Sequence, residues 1–548
     1  MIRFLAPRCA SWLAFTLVLS LATKLCQAAE WQWSVPDSAA RAYLWIPPDC
    51  RQVRGIVVGN HNMLEQGILE HAVMRQTLAE LGFAEVWVVP ALDGVFDFNK
   101  GAGEHFDRVM HALAQQSGYH ELPFAPVVPI GHSACATYPW NFAAWNPART
   151  LAVLSVKGDA PQTNRTGYGR ANVAWGDRNI DGVPGLMVMG EYEWFEDRLA
   201  PAMEFARRHP AAAVSVLCDA GHGHFDATAE LVSYLALFIR KAAERRLPAE
   251  MPLDRAPQLK AVDPKSGWRM DRWRANAPPT APAAPYEAYA GDAKEAVWCF
   301  DREMAELTEA AYAKARAKKP QLLGIVDKGQ LLPQTNTAEQ VRVPFTPGDD
   351  GMTFKLNAVF LDTVPDGHAN VVKWARLPAG TPLGHASGGG PIVISKIVGP
   401  VVKTGAESFA LHLDRSVYTP NGRNNDLWLL AHHPGDAEYK SAVQQMMIRL
   451  PARDRGAQQT ITFPQVPDQK AAAREVALTA TSDAGVPVQY YVMEGPAEVE
   501  GSTLRFIPIP PRSRFPVKVT VVAWQYGLGG NPGLKSAAPI ERSFFITE

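Results

Sequence analysis

Ser133 lies in the run Gly131-His132-Ser133-Ala134-Cys135, directly after the apolar stretch 127–130. A serine set among small residues at the end of a buried strand reads as a nucleophile elbow, because the backbone must turn sharply there. Cys135 stands where the usual pattern has a second glycine. A serine hydroxyl needs a base to become a nucleophile, and the base needs a carboxylate to orient it. Two later stretches offer both. Gly190-Glu191-Tyr192-Glu193 follows the apolar run 185–189, and Gly221-His222-Gly223-His224-Phe225 follows the run 213–217. The candidate acids are Glu191 and Glu193, and the candidate bases are His222 and His224. The chemistry such a set performs is attack on a carbonyl, with proton relay through the imidazole.

These groups must be presented at the ends of strands. From 54 to 225, short apolar runs (55–59, 85–90, 127–130, 151–156, 185–189 and 213–217) alternate with helical patterns. The spacing predicts helices over 68–81, stopped by Gly82, over 104–116 and over 231–243, with Asp226 as the N-cap of the last. Continuous apolar strands separated by helices predict a mostly parallel sheet covered on both faces. Ligands bind at the carboxyl ends of such strands, where all three candidate loops fall. Pro139, early in the helix after the elbow, predicts a local kink. The stretch 158–181 has no periodicity and reads as a rim loop, with Arg165, Arg170 and Arg178 as solvated charges. Tyr138, Trp140, Phe142, Trp145, Tyr192, Trp194 and Phe195 read as core aromatics, with a platform for a sugar ring or aromatic acyl group as the alternative.

On these residues the chain resembles the α/β-hydrolase superfamily, nearest to secreted esterases of the dienelactone-hydrolase and polyester-depolymerase type, over about 42–247. The resemblance implies a doubly wound, mostly parallel sheet and a triad in the order serine, acid, histidine. The family's strand–Gly-x-x-acid pattern maps onto Glu193, a glutamate where an aspartate is usual, with Glu191 and then Asp159 as alternatives. Its Gly-His-apolar pattern favours His224, with His222 as the alternative. The implied oxyanion donors are the N–H of Ala134 and that of Met63 or Asn62, in a loop where His61-Asn62 replaces the usual His-Gly. His132 reads as a packing or hydrogen-bonding neighbour, and His61 as structural or lining the cleft. The implied activity is that of a serine esterase, a carboxylic ester hydrolase, acting on a carbohydrate-linked or polyester substrate with no cofactor and no metal. The alternatives are a non-catalytic polysaccharide- or surface-binding protein on a hydrolase scaffold, and a serine peptidase of the same superfamily.

At 548 residues the chain is long enough for several domains. The expected division is a signal peptide at 1–28, an α/β-hydrolase domain at 30–248, a linker or strap with a charged helix at 249–340, a β-sandwich-like domain at 341–455 and an immunoglobulin-like β-sandwich at 456–548. The last assignment rests on resemblance of 478–488, 494–499 and 519–525 to bacterial immunoglobulin-like domains. Arg3 and Arg8 before the apolar run 12–22, with Cys26-Gln27-Ala28 at its end, form the pattern of a cleaved export signal. That run is short for a membrane span. The expectation is therefore a secreted or periplasmic protein with no span after cleavage. A formal net charge of −1 gives no electrostatic case for nucleic acid or anionic membrane. Cys50, Cys135, Cys218 and Cys299 are scattered and lack zinc-site spacing.

Overall fold

The computed structural model describes residues 31–91, 93–194, 196–334, 340–366, 374–415, 426–530 and 532–548. The segment 1–28, expected to be a signal peptide, and Phe195 lie outside the described residues. Side chains alternate across a strand, so a strand buried on both sides feeds two cores. Val57, Trp87 and Val89 join one core, while Ile56, Val58, Val86 and Val88 join the other. The sheet between them has eight strands: β1 (Trp33–Asp37), β2 (Ala40–Trp45), β3 (Gly55–Asn60), β4 (Phe83–Val89), β5 (Val127–His132), β6 (Val153–Val156), β7 (Gly185–Gly190) and β8 (Val214–Asp219). Their order is β1-β2-β4-β3-β5-β6-β7-β8. β2 pairs antiparallel with β1 and β4, and every pair from β4 to β8 is parallel. This is an α/β-hydrolase fold, with the β1–β2 hairpin added to the strands legible in the sequence.

The periodic stretch 68–81 resolves into α1 (Glu65–Leu69) and α2 (Ala72–Leu81). His71 breaks them apart by adopting an extended conformation, and its side chain accepts the Val73 N–H at 3.2 Å. Gly82 ends α2 at φ +70°, a left-handed turn that glycine adopts without a Cβ clash. α3 (Ala102–Ser117) turns Phe106, Val109, Met110 and Leu113 into the second core, the spacing of one helix face. In α4 (Tyr138–Trp145), Pro139 sits in the first turn, where a missing N–H breaks no helical bond. The expected kink is replaced by a separate 3-10 turn over Ser133–Cys135.

α5 (Glu196–Arg208) and α6 (Ala229–Arg246) complete the layers. Thr228 caps α6, accepting the Leu231 N–H at 3.2 Å. Asp226, expected in that role, is directed into a buried cluster beside the site. The charged stretch 292–319 is not a single helix: the strand Ala296–Cys299 pairs with Trp268–Asp271, and a helix follows over Arg302–Ala313, capped by Asp301.

The rest of the chain is rich in antiparallel sheet. A first β unit packs a four-stranded sheet (Gln340–Arg342, Ala442–Arg449, Asp426–His433, Val393–Val398) and a three-stranded one around Phe354, Phe409, Leu427 and Met446. A last unit does the same around Leu504, Val519, Val521 and Phe544. Neither is a bead on a string. Ile397, Leu430 and Val443 of the first unit, and Tyr491 and Trp524 of the last, belong to the same continuous core as Trp87 and Leu235 of the hydrolase layers. Among the described residues no helix is long and apolar enough to cross a membrane.

Gly185 opens β7 against the buried Trp140, and a Cβ there would stand 2.3 Å from the indole ring. Gly185→Ala is expected to cost about 1–3 kcal/mol, read as a lowered midpoint in chemical denaturation.

Candidate active site

The elbow is built by close approach. Ser133 has φ +52°, a left-handed conformation that is strained for a residue with a side chain. A Cβ on Gly131 would lie 2.0 Å from the carbonyl oxygen of Cys135, so only glycine permits the turn to fold back on β5. Cys135 is buried, and its Sγ would be 3.3 Å from a Cβ on Gly94. The glycine missing from the end of the motif is thus matched by one on the neighbouring loop. The Ser133 carbonyl accepts from Thr166 Oγ1 at 2.7 Å. Asp159 Oδ2 accepts the Thr166 N–H at 2.8 Å and, 2.6 Å from Thr166 Oγ1, shares that single hydroxyl proton with the Ser133 carbonyl. Asp159, weighed as a candidate acid, therefore anchors the rim loop to the elbow.

The structure brings Ser133, His224 and Glu193 together. His224 Nε2 lies 2.8 Å from Ser133 Oγ, and His224 Nδ1 is hydrogen-bonded to Glu193 Oε2. Glu193 is the third residue after β7 begins its exit at Gly190, whose N–H donates to Glu193 Oε1 at 2.9 Å. Arg198 reaches Glu193 Oε2 at 3.3 Å and donates to the Lys157 and Gly158 carbonyls. Burial pushes the Glu193 carboxyl up, but His224, Arg198 and Lys157 outweigh it and hold the group well below the usual carboxylate range. Glu193 is therefore an anion facing Nδ1. That fixes the proton on Nδ1 and leaves the Nε2 lone pair toward the serine hydroxyl.

His132 supports His224 from behind. Its Nε2 donates to the His224 carbonyl at 3.0 Å, which leaves Nδ1 to accept from Asn62 Nδ2 at 3.3 Å. Burial first, then the neighbouring His224, drive its pKa well below the ordinary value, so it is neutral. His61 packs edge-on against Trp87, 5.4 Å between centroids.

The alternates are not at the serine. His222 Nδ1 is 2.5 Å from Asp226 Oδ2, and its ring lies 5.4 Å from that of His432 in the first β unit. Asp226 also accepts the Gly223 N–H at 3.0 Å. The fully buried Lys157 completes this cluster, 2.5 Å from Asp219 and 3.9 Å from Asp226. Asp219, His222 and Asp226 are a set of donors within 4.8 Å of one another that could hold a cation. The Lys157 ammonium already meets that need. Glu191 is turned away to accept the Gly221 N–H at 2.8 Å and Lys440 Nζ at 2.8 Å.

The oxyanion side differs from the sequence expectation. Ala134 follows the serine in the turn and is the one residue of 131–140 that is not buried. The amides of Asn62 and Met63, expected to face it, both donate to Glu65 Oε2, at 3.1 and 3.0 Å. Glu65 Oε1 accepts the His132 N–H at 2.7 Å. One wholly buried carboxyl thus ties the loop after β3 to the elbow. Burial raises its pKa to about 7 against the pull of these amides. Glu65, Lys157 and Arg198 were not singled out from sequence. The available signals were a charge among apolar residues at the start of α1 and a lysine directly after a buried strand.

No family model matches the chain, and no curated protein matches it in sequence. Solved structures do. An S-formylglutathione hydrolase from Agrobacterium tumefaciens is 14% identical, covering 39% of this chain and 94% of its own, with a TM-score of 0.30. Est1E from Butyrivibrio proteoclasticus is 16% identical, over 39% of this chain and 100% of its own, with a TM-score of 0.27. A dienelactone hydrolase from Anabaena variabilis is 16% identical, over 40% and 98%, with a TM-score of 0.27. The fold assignment rests on the strand order and the elbow described above.

The His222 cluster has a pH signature. Burial alone would strip the His222 proton, but Asp219 and Asp226 push its pKa up to about 9. The folded chain then binds this proton where the unfolded chain has released it. The group's contribution to stability is full below its ordinary value near 6.5 and is lost as pH rises through about 9. His222→Gln is expected to flatten that alkaline decline in a melting-temperature series from pH 6 to 10.

Proposed function

We propose that this chain is a serine hydrolase that cleaves carboxylic esters through an acyl-enzyme. The observation that carries the reading is the His224 imidazole bridging Ser133 Oγ and the buried Glu193 carboxylate. His224 takes the Ser133 proton as Oγ attacks the ester carbonyl. Glu193 stabilises the imidazolium that forms, and its depressed pKa keeps it ionised while it does so. The Ala134 N–H is the first oxyanion donor. The imidazolium then protonates the leaving alcohol, and water repeats the sequence to release the acid.

The substrate we favour is an ester of a carbohydrate or polyester. Phe225, next to the base, meets the His224 ring edge-on at 4.5 Å and lies 5.1 Å from Trp428 of the first β unit. All three side chains are partly exposed. They form an aromatic ledge beside the His224 ring, and such a surface suits a ring-bearing alcohol. We read the chain as secreted or periplasmic on the pattern of Arg3, Arg8 and the apolar run 12–22. We read the last unit as an immunoglobulin-like sandwich.

Hydrolysis of short acyl esters by wild type is expected to fall about a thousandfold or more in Ser133→Ala, and fluorophosphonate labelling is expected to disappear. Glu193→Gln is expected to lose about 10³–10⁴ in kcat. Retention of activity in Ser133→Ala rejects the proposal. A panel of acetylated glycans, glucuronoyl and feruloyl esters and polyhydroxyalkanoates would identify the substrate class.

A further inference from the structure

Glu193 and His224 stand on loops that the hydrolase sheet does not hold alone. Glu191, one step beyond β7, joins three segments. Its Oε2 accepts the N–H of Gly221, the first residue of the base loop, and its Oε1 accepts Lys440 Nζ from the first β unit, both at 2.8 Å. Arg376 Nη2 is a further 3.8 Å neighbour. The Glu191 and Lys440 side chains are only 2% and 7% exposed.

The contacts around this pair run in the same direction. The Tyr192 N–H donates to the His222 carbonyl at 3.0 Å, and the Tyr192 hydroxyl donates to the Ser441 carbonyl at 2.9 Å. The Tyr192 ring stacks on Trp374 at 5.1 Å. Ser441 Oγ donates to the Gly221 carbonyl at 3.3 Å, and a Cβ on Gly221 would stand 1.9 Å from that Oγ. The base loop is therefore fitted directly against the β unit.

We infer that the first β unit is a positioning part of the hydrolase site, and that Lys440 acts through Glu191 to fix the spacing between the loop carrying Glu193 and the loop carrying His224. The inference rests on the serine-hydrolase reading above. Without Lys440 the buried Glu191 carboxylate keeps only the more distant, exposed Arg376 at 3.8 Å, and the loop relieves the poorly compensated charge by moving or by taking up a proton. Either response loosens the Glu191–Gly221 link. A displacement of about 1 Å between reacting groups is enough to cost about a hundredfold in rate.

The test compares full-length wild type, Lys440→Met and Lys440→Arg, using p-nitrophenyl acetate hydrolysis and the rate of Ser133 labelling by a fluorophosphonate. Lys440→Met is expected to lower kcat about ten- to hundredfold, with KM little changed and labelling slowed in parallel. Lys440→Arg is expected to recover most of both. Should Lys440→Met fail to fold, the double variant Lys440→Met/Glu191→Gln removes the uncompensated charge and is expected to fold with the same kcat loss. A folded Lys440→Met, or double variant, with wild-type kcat and labelling rate overturns the inference while leaving the hydrolase reading intact. A wild type that neither hydrolyses esters nor labels overturns that reading, and the inference with it.

Discussion

An imidazole takes a proton from serine far more effectively when its other nitrogen is held by a group that fixes the tautomer and stabilises the positive charge. In this chain that hold is the Glu193–His224 hydrogen bond. Its two partners come from different strand ends, 31 residues apart in sequence. β5, β7 and β8 run parallel, so their carboxyl ends carry Ser133, Glu193 and His224 to the same edge. His132 and Arg198 then limit how far each partner can move, one through the His224 carbonyl and the other through the Glu193 carboxylate.

The same edge concentrates buried charge. Lys157, Arg198, Asp159, Glu191, Glu193 and Asp226 are all buried within the adjoining loops. Isolated, each would be costly, and each has a partner of opposite sign: Lys157 with Asp219 and Asp226, Arg198 with Asp159 and Glu193, Glu191 with Lys440. Pairing of this kind is directional, and it sets loop positions more sharply than apolar packing would. Glu65 achieves a related end with amides in place of a cation, and its raised pKa reflects that weaker compensation.

The parallel strands and the elbow were legible because apolar runs and small residues leave local marks. The choice of His224 over His222 was open on spacing alone, since both follow a glycine in the same loop. Asp226 decides the geometry by engaging His222, and that contact depends on how the turn folds. The Asn62 and Met63 amides were misjudged for a comparable reason. Their acceptor, Glu65, looked like an ordinary helix-start acid, and its burial follows only from the closeness of β3 and β5. Lys157 and Lys440 were invisible as partners because ion pairs across 62 and 249 residues leave no periodicity.

β1 is the outer strand of the hydrolase sheet, and an open strand edge invites pairing with other chains. The last β unit covers part of it: the Gly495 N–H donates to the Trp31 carbonyl, and Ser34 Oγ donates to Glu494 Oε2 at 2.5 Å. On a growing polypeptide, that cover arrives 460 residues after the strand it protects. At ordinary synthesis rates the edge waits roughly half a minute to a minute and a half for its partner. A nascent chain carries an adhesive border until that unit is made, and termination before it leaves the border uncovered.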